Sequence, residues 1–416
     1  MKGFFMQKKV SVPVFIGILL LLTGNIIGAG ILGVPIQTGL AGFFPSLIGM
    51  LFITAVMLFT SLVLSNEATR THEENFHYPS LYQKYLGNIG KWAAIAAYLI
   101  IFYGTLTAYL SGITTIVIEL FHPPLSTTWI LIIFGVTMSA LAMTNMEILR
   151  RYNAVLVVLM LAAFVMLITM SEKLVEPNRL LHQDWSFLPS TVPIIIMSLN
   201  FYNIIPLICK DLKWNADATW KTIVIGLFIG YVLNAIWMQI SLGSLPLGGD
   251  EISISTALQN NYPATVPLAE KVNSPMFTSY SLIFAVLAIM TSFLSNGKGL
   301  MGFVDDLLIN HLKFSKKSNI FVSALISFGP PLLISILYPN IFLQALDIVG
   351  GIGLVILFGI LPCLIAILRP NKTFKILGVI VLIVFCFFLL LELGHELGFL
   401  KLGPKVEYWK YNFTHK

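Results

Sequence analysis

The chain has 416 residues, of which 57% are hydrophobic and 11% charged, with a formal net charge of +6. An ordinary soluble domain carries about 25% charged residues, so this chain cannot cover itself with a polar surface and must present apolar surface to lipid. The positive balance does not signal nucleic-acid binding, because Lys and Arg fall in short clusters between apolar runs.

The first apolar stretch follows MKGFFMQKKV, a positively charged start of the kind that opens a signal peptide. It runs past Gly30 without a clear cleavage site and leads into further apolar runs, so a first spanning helix is expected there. A spanning helix needs about 20 mostly apolar residues. Eleven stretches fit: 13–38, 44–66, 91–119, 128–146, 152–171, 188–210, 221–246, 276–296, 318–338, 341–368 and 373–397. Runs of this length predict an all-α integral membrane bundle and not a barrel, whose strands would alternate in short segments. Cys209, Cys363 and Cys386 lie in apolar runs without CxxC or metal-ligand spacing and read as packing residues.

With the N-terminus placed in the cytoplasm, most Lys and Arg fall in cytoplasmic segments. The internal outer loops then keep only Lys173, Arg179 and Lys271, which fits the positive-inside rule. An odd number of spans puts the tail 398–416 outside and leaves 1–12 as the cytoplasmic N-terminus.

The spans repeat. The first and sixth are both interrupted mid-membrane, by TGNIIGAGILGVP and by MSLNFYNIIP, and in each a proline follows five residues on: Pro35 after Gly30, Pro206 after Phe201. Long, partly helical connections follow the second and seventh spans (67–90 and 247–275). Five spans per copy is odd, so the copies 13–171 and 188–368 enter from opposite sides, with 373–397 as an extra helix. This is the pattern of an inverted repeat with the substrate at two broken helices.

A break at membrane depth exposes N–H and C=O groups that lipid cannot satisfy, so it survives only where it lines a cavity or binds something. Gly28 and Gly30 are expected to let the backbone unwind and a ligand approach it; Gly33 reads equally well as a helix-packing glycine. The half-helix from Gly30 would aim its amides at a carboxylate, and freed carbonyls would take an ammonium group or a cation. No Lys or Arg sits at the centre of a span, and buried charge in membranes is costly and rare, so a net-neutral solute is expected. Asp347 is the only acid well inside a span, a possible gate or proton site. Glu119, Glu392, His395 and Glu396 read as solvated charges at helix ends. Asn200, Phe201, Tyr202 and Asn203 surround the second break, where Phe201 or Tyr202 could wall an apolar subsite. Asn234, Trp237 and Gln239 read as interhelical contacts. Ala288, Thr291 and Ser292 share one helical face and make an oxygen set fit for a small cation such as Na⁺, unless the hydroxyls bond back to their own helix.

At these residues the sequence resembles the bacterial aromatic amino acid permeases (the tyrosine and tryptophan permease family) of the amino acid–polyamine–organocation superfamily. The points of resemblance are GNIIGAGILGVP, YGTLTAYLSG, FYNIIP, IGLFIGYVLNAIWMQISLGSLP, TSFLSNGKGL followed by VDDLL, and FGPPLLISILYPNIFLQAL, in that order over roughly 13–397. The resemblance implies a LeuT-type fold of two inverted five-helix repeats plus one helix, in a bacterial inner membrane, with ion-coupled uptake by alternating access. It places the substrate at Asn25, Ile26, Gly28, Ala29 and Gly30 and at Leu199, Asn200, Phe201, Tyr202 and Asn203. A sodium site would map to the carbonyls of Gly24, Ile27 and Ala288 and the hydroxyls of Thr291 and Ser292. The chain departs from the family at Asn200-Phe201-Tyr202, where close members carry Gly-Phe-His. It departs again at Met160, aligned with a lysine of proton-coupled relatives; a methionine cannot stand in for a cation, so the coupling ion is Na⁺ or H⁺. No other cofactor is expected. An aromatic or other large neutral amino acid is the expected substrate, with an exchanger or a transporter-fold sensor for another small neutral solute as the alternative. A channel would want a ring of pore-lining groups from several subunits, and an enzyme would want paired acids, His clusters or a Ser/His pair at mid-membrane depth, none of which the sequence offers.

Overall fold

The computed structural model of the protein describes residues 11–72, 76–144, 146–312 and 319–402. Most of the expected N-terminal segment 1–12 and tail 398–416, with the basic cluster Lys313, Lys316 and Lys317, lies outside the described residues.

The described chain is helical and contains no strand. Its helices are α1 Val12–Ile26, α2 Gly30–Thr38, α3 Phe43–Thr71, α4 Tyr78–Phe121, α5 Thr127–Ala142, α6 Met146–Ser171, α7 Leu188–Ser198 and α8 Ile205–Asp211. Then come α9 Ala216–Ser244, α10 Ile254–Gln259, α11 Thr265–Val272, α12 Pro275–Leu312, α13 Asn319–Leu337 and α14 Phe342–Ile348. A π-helical stretch, Val349–Ile360, joins α14 to α15 Leu361–Leu368, and α16 Lys372–Glu396 follows.

Among the described residues nine helices are long and apolar enough to cross a membrane, or ten if the bent pair α1–α2 is one span. The stretch expected at 128–146 forms α5, whose 16 residues fall short of that length. The two connections expected to be partly helical are so. The first opens α4, where Gly87 at φ 67° separates a short lead-in helix from the span; the second holds α10 and α11.

Local signals set several of these boundaries. The Asn215 side chain accepts from the Ala218 amide at 3.0 Å and starts α9, and Asn371 accepts from the Thr373 amide at 2.9 Å and starts α16. Gly42, at φ 88°, turns the chain from α2 into α3, and a Cβ there would lie 2.0 Å from the His182 carbonyl oxygen. Both the angle and the space require glycine.

The interior is lined by α1, α2, α7, α8, the π-helical stretch and the inner faces of α3, α4, α9 and α12. The outer helices turn Ile133, Val158, Phe228, Leu333, Ile383 and Phe387 outward, each more than half exposed. Such a belt of apolar side chains suits contact with lipid tails and not with water. The π-helical stretch packs its glycines into neighbours. A Cβ on Gly350 would meet the Pro193 carbonyl, and one on Gly353 would meet Ile101. The wider turn alters carbonyl bonding, and the buried Tyr82 hydroxyl donates to the Leu357 carbonyl at 2.6 Å.

Among the described residues one ion pair has both side chains largely out of water. Glu67 is 2% exposed and takes the Arg369 guanidinium and the Tyr85 hydroxyl, the latter at 2.8 Å. It ties the end of α3 to the start of α4 and to the residue after α15.

Candidate functional site

The first break lies between α1 and α2, whose axes differ by 50°. α1 closes with the Ile27 amide on the Thr23 carbonyl at 2.9 Å, and the chain restarts with Ile31 on Gly28 and Leu32 on Ala29. Among the described residues no backbone carbonyl takes the amides of Gly28 and Ala29, and both residues are buried. A buried amide without a partner costs about 1–3 kcal/mol. Two of them side by side at the head of a half-helix form a place for an anionic group.

The glycines there differ from the sequence expectation in one respect. Neither Gly28 nor Gly30 has positive φ, so glycine's conformational freedom is not what the break uses. Space is. A Cβ on Gly30 would lie 2.9 Å from Ser198 Cα, and one on Gly28 would lie 2.8 Å from Ser292 Oγ. The first contact presses α2 against the end of α7, so the two breaks touch. The second brings the first break onto α12. Gly33 meets the side chains of Ile194, Leu343 and Leu346 and acts as a packing glycine.

Of the expected cation residues, those on α12 lie toward the first break. Ser292 approaches Gly28; Ala288 and Thr291 lie on the same face of α12. Gly24 is covered by Val157 of α6, and Met160, fully buried, follows one turn along. The Thr291 hydroxyl donates back to Leu287 at 2.7 Å and to Ala288 at 3.3 Å. For Thr291 this is the alternative the sequence left open, a hydroxyl bonded back to its own helix; the bond uses the hydrogen, and lone pairs remain on the oxygen. Tyr109 of α4 was not foreseen here. Its hydroxyl accepts from Asn296 Nδ2 at 3.2 Å and lies beside Ser292. It belongs to YGTLTAYLSG, the signal that could have found it.

The second break runs from Leu199 to Phe201. α7 closes with the Leu199 amide on Ile195 at 3.2 Å and Asn200 on Met197 at 3.3 Å. A short 3₁₀ turn, Tyr202–Ile204, leads into α8. The Asn200 side chain accepts from the Tyr202 amide at 3.3 Å and holds the turn. Asn203 Oδ1 is buried with no partner. Phe201 is fully buried and stacks on Tyr202 at 5.2 Å. Tyr202 is placed differently from Phe201. Its ring stacks on Phe358 at 4.6 Å, and its hydroxyl is spent on Thr60 at 2.6 Å and the Met57 carbonyl at 2.9 Å. Tyr202 thus fastens the break to α3 and the π-helical stretch.

Asp347 stands apart from both breaks, bonded by Gln37 Nε2 at 2.8 Å. Glu392 corrects the sequence reading: it is not a solvated helix end but 4% exposed, seated on Gly351. The last turns of α16 lean onto the π-helical stretch, which sequence cannot show. Asn234 bonds its own helix at Gly230, and Trp237 packs between Phe164 and Phe284. Outside the spans, the Tyr262 hydroxyl donates to Glu119 at 2.9 Å, which ties the α10–α11 loop to the end of α4. Burial, with Glu119, pushes the Tyr262 hydroxyl up to about 12. Glu270 is raised too, by burial and by the Glu119 charge, with His122 opposing.

Two contacting helix breaks thus lie inside a bundle of helices apolar enough to cross a membrane, the arrangement of a multi-pass membrane protein. The tryptophan/tyrosine permease family matches residues 11–395, and the chain belongs to that family. It is similar to the tyrosine-specific transport system 1 of Haemophilus influenzae, at 27% identity over 80% of this chain and 83% of that one. It is similar to the tryptophan-specific transport protein of the same organism, at 25% identity over 88% and 91%. The glutamine transporter 2 of Aliivibrio fischeri is 25% identical over 86% and 90%. These relatives are transporters and not enzymes.

Proposed function

We propose that the chain is an ion-coupled symporter for aromatic or other large neutral amino acids, working by alternating access. The observation that carries this reading is the contact of the two breaks through Gly30 and Ser198 beside the open amides of Gly28 and Ala29. The substrate carboxylate binds those amides, and its ammonium group takes carbonyls freed at either break and the open Asn203 Oδ1. Asn25, Ile26, Leu199 and Asn200 complete the main-chain cradle, and Phe201 walls the side-chain pocket. The site holds no fixed charge, which suits a zwitterion.

The arrangement is read as a LeuT-type fold: repeats 13–171 and 188–368, with 373–397 as the eleventh helix and α5 as a short span. The N-terminus lies in the cytoplasm of a bacterium and the C-terminus outside its inner membrane. The co-transported cation is Na⁺, held by Gly24, Ile27, Ala288, Thr291 and Ser292; the contact of Gly28 with Ser292 and the lack of charge at Met160 favour it. Uptake of labelled tyrosine by purified protein in liposomes is expected to need a sodium gradient. Full uptake driven by a pH gradient alone would exclude sodium as the coupling ion.

A further inference from the structure

We propose that Gln37, Asp347 and Glu392 form a proton-binding site that links the half-helix α2 to α16. Three helices meet there. Gln37 of α2 is 6% exposed, and its amide donates to the Leu343 carbonyl at 3.3 Å and to Asp347 Oδ2 at 2.8 Å. Both donations fix the amide's orientation and leave Gln37 Oε1 buried without a partner. Asp347 Oδ1 is likewise buried and unpartnered, and so is Oε1 of Glu392, a residue only 4% exposed. Glu392 sits where Gly351, one turn beyond Asp347, has no side chain; a Cβ there would lie 2.5 Å from Glu392 Cγ.

The site thus holds three buried acceptors and no spare donor. Acceptors cannot satisfy one another, but a protonated carboxyl is a donor. One proton, taken from water onto a carboxylate oxygen with no other bond made or broken, removes one of two like charges and supplies the missing hydrogen. No basic side chain competes for this role among the described residues that face the pair. α2 and α7 carry no ionisable residue. α4 presents Tyr109, bonded to Asn296, and, at its far end, Glu119, bonded to Tyr262. α16 presents Glu396, whose charge also bears on Asp347, and His395; both are exposed. The Glu392 charge bears on Asp347 more than that of Glu396. With the proton bound, α16 stays seated on Gly351 and Gln37 holds α2 to α14. Without it, the two carboxylates repel across that seat.

The test is thermal unfolding of the purified full-length protein in detergent across about pH 5 to 8, without amino acid. A single linked proton changes the folding equilibrium by up to about tenfold per pH unit. The wild type is expected to lose stability as pH rises through this window, and the slope to fall in D347N and again in E392Q. Either variant serves if the other fails to fold. H395Q and H182Q serve as histidine controls and are expected to keep the wild-type slope. Wild-type, D347N and E392Q slopes that coincide would overturn the proposal. So would a wild type that Na⁺ stabilises at fixed pH with the effect lost in D347N, since the site would then hold sodium. The readout needs no substrate, so its failure is separable from failure of the transport reading, which amino acid binding tests.

Discussion

Gly28→Ala tests whether the first break really rests on α12. The added methyl would lie 2.8 Å from Ser292 Oγ and 3.4 Å from the Asn25 carbonyl, so one of the two sides must move. Forcing extra volume into a packed interior costs about 1–3 kcal/mol. The clash is with a single hydroxyl, so removing that hydroxyl should remove most of the cost. Ser292→Ala alone deletes one polar atom and is expected to cost less than about 1 kcal/mol. The double variant G28A/S292A should then recover most of the stability lost in G28A, a coupling within the 0.5–3 kcal/mol range of contacting residues. Denaturant unfolding of the four proteins in detergent reads the cycle. Additive effects, with no recovery in the double variant, would mean that Ser292 does not face the break and that the cation set is wrongly assembled.

Three further outcomes follow from particular contacts. Arg369→Ala leaves the Glu67 carboxylate, in a 2%-exposed site, with the Tyr85 hydroxyl and the mostly exposed Arg70 guanidinium, 4.0 Å away; a loss of about 3 kcal/mol is expected, and a loss under about 1 kcal/mol in chemical denaturation would mean that Arg70 or water takes over from Arg369. Phe201→Ala should weaken binding of tyrosine and tryptophan relative to alanine in a competition assay, whereas equal weakening for all three would remove Phe201 from the side-chain pocket. Glu270 is raised in the folded protein, so between its unfolded value of about 4.3 and its folded value the native state holds the extra proton. Stability therefore falls as pH rises through that window, and Glu270→Gln should flatten this part of the melting profile and be the more stable protein at pH 7; solvent screening of this exposed group keeps the effect small. A steeper profile in the variant would reverse the assignment.

The breaks were legible because glycine clusters and a proline five residues on leave a mark in an apolar run, and the spans were legible because lipid demands about 20 apolar residues in a row. What packs against a break leaves no such mark. Gly28 and Gly30 could be singled out as glycines, but that they serve close approach and not unusual φ depends on Ser292 and Ser198, far off in the chain. Glu392 was unreadable for the same reason. Position in the chain puts it near a helix end, where charge is normally solvated, and only the lean of α16 onto Gly351 buries it. Tyr202 looked like a pocket residue because it sits at the break; its hydroxyl is claimed by Thr60, which no local spacing links to it. The π-helical stretch has a faint signal in VGGIG, but glycines there read equally well as ordinary packing.

The most direct measurement is equilibrium binding of radiolabelled tyrosine to the purified protein, run beside Gly30→Ala, whose added methyl would strike Ser198 where the two breaks meet. Saturable binding is expected in the wild type, displaced by phenylalanine and tryptophan but not by lysine or glutamate, and lost in the variant. No saturable binding of any neutral amino acid, or equal displacement by lysine and glutamate, would contradict a zwitterion held between two helix breaks.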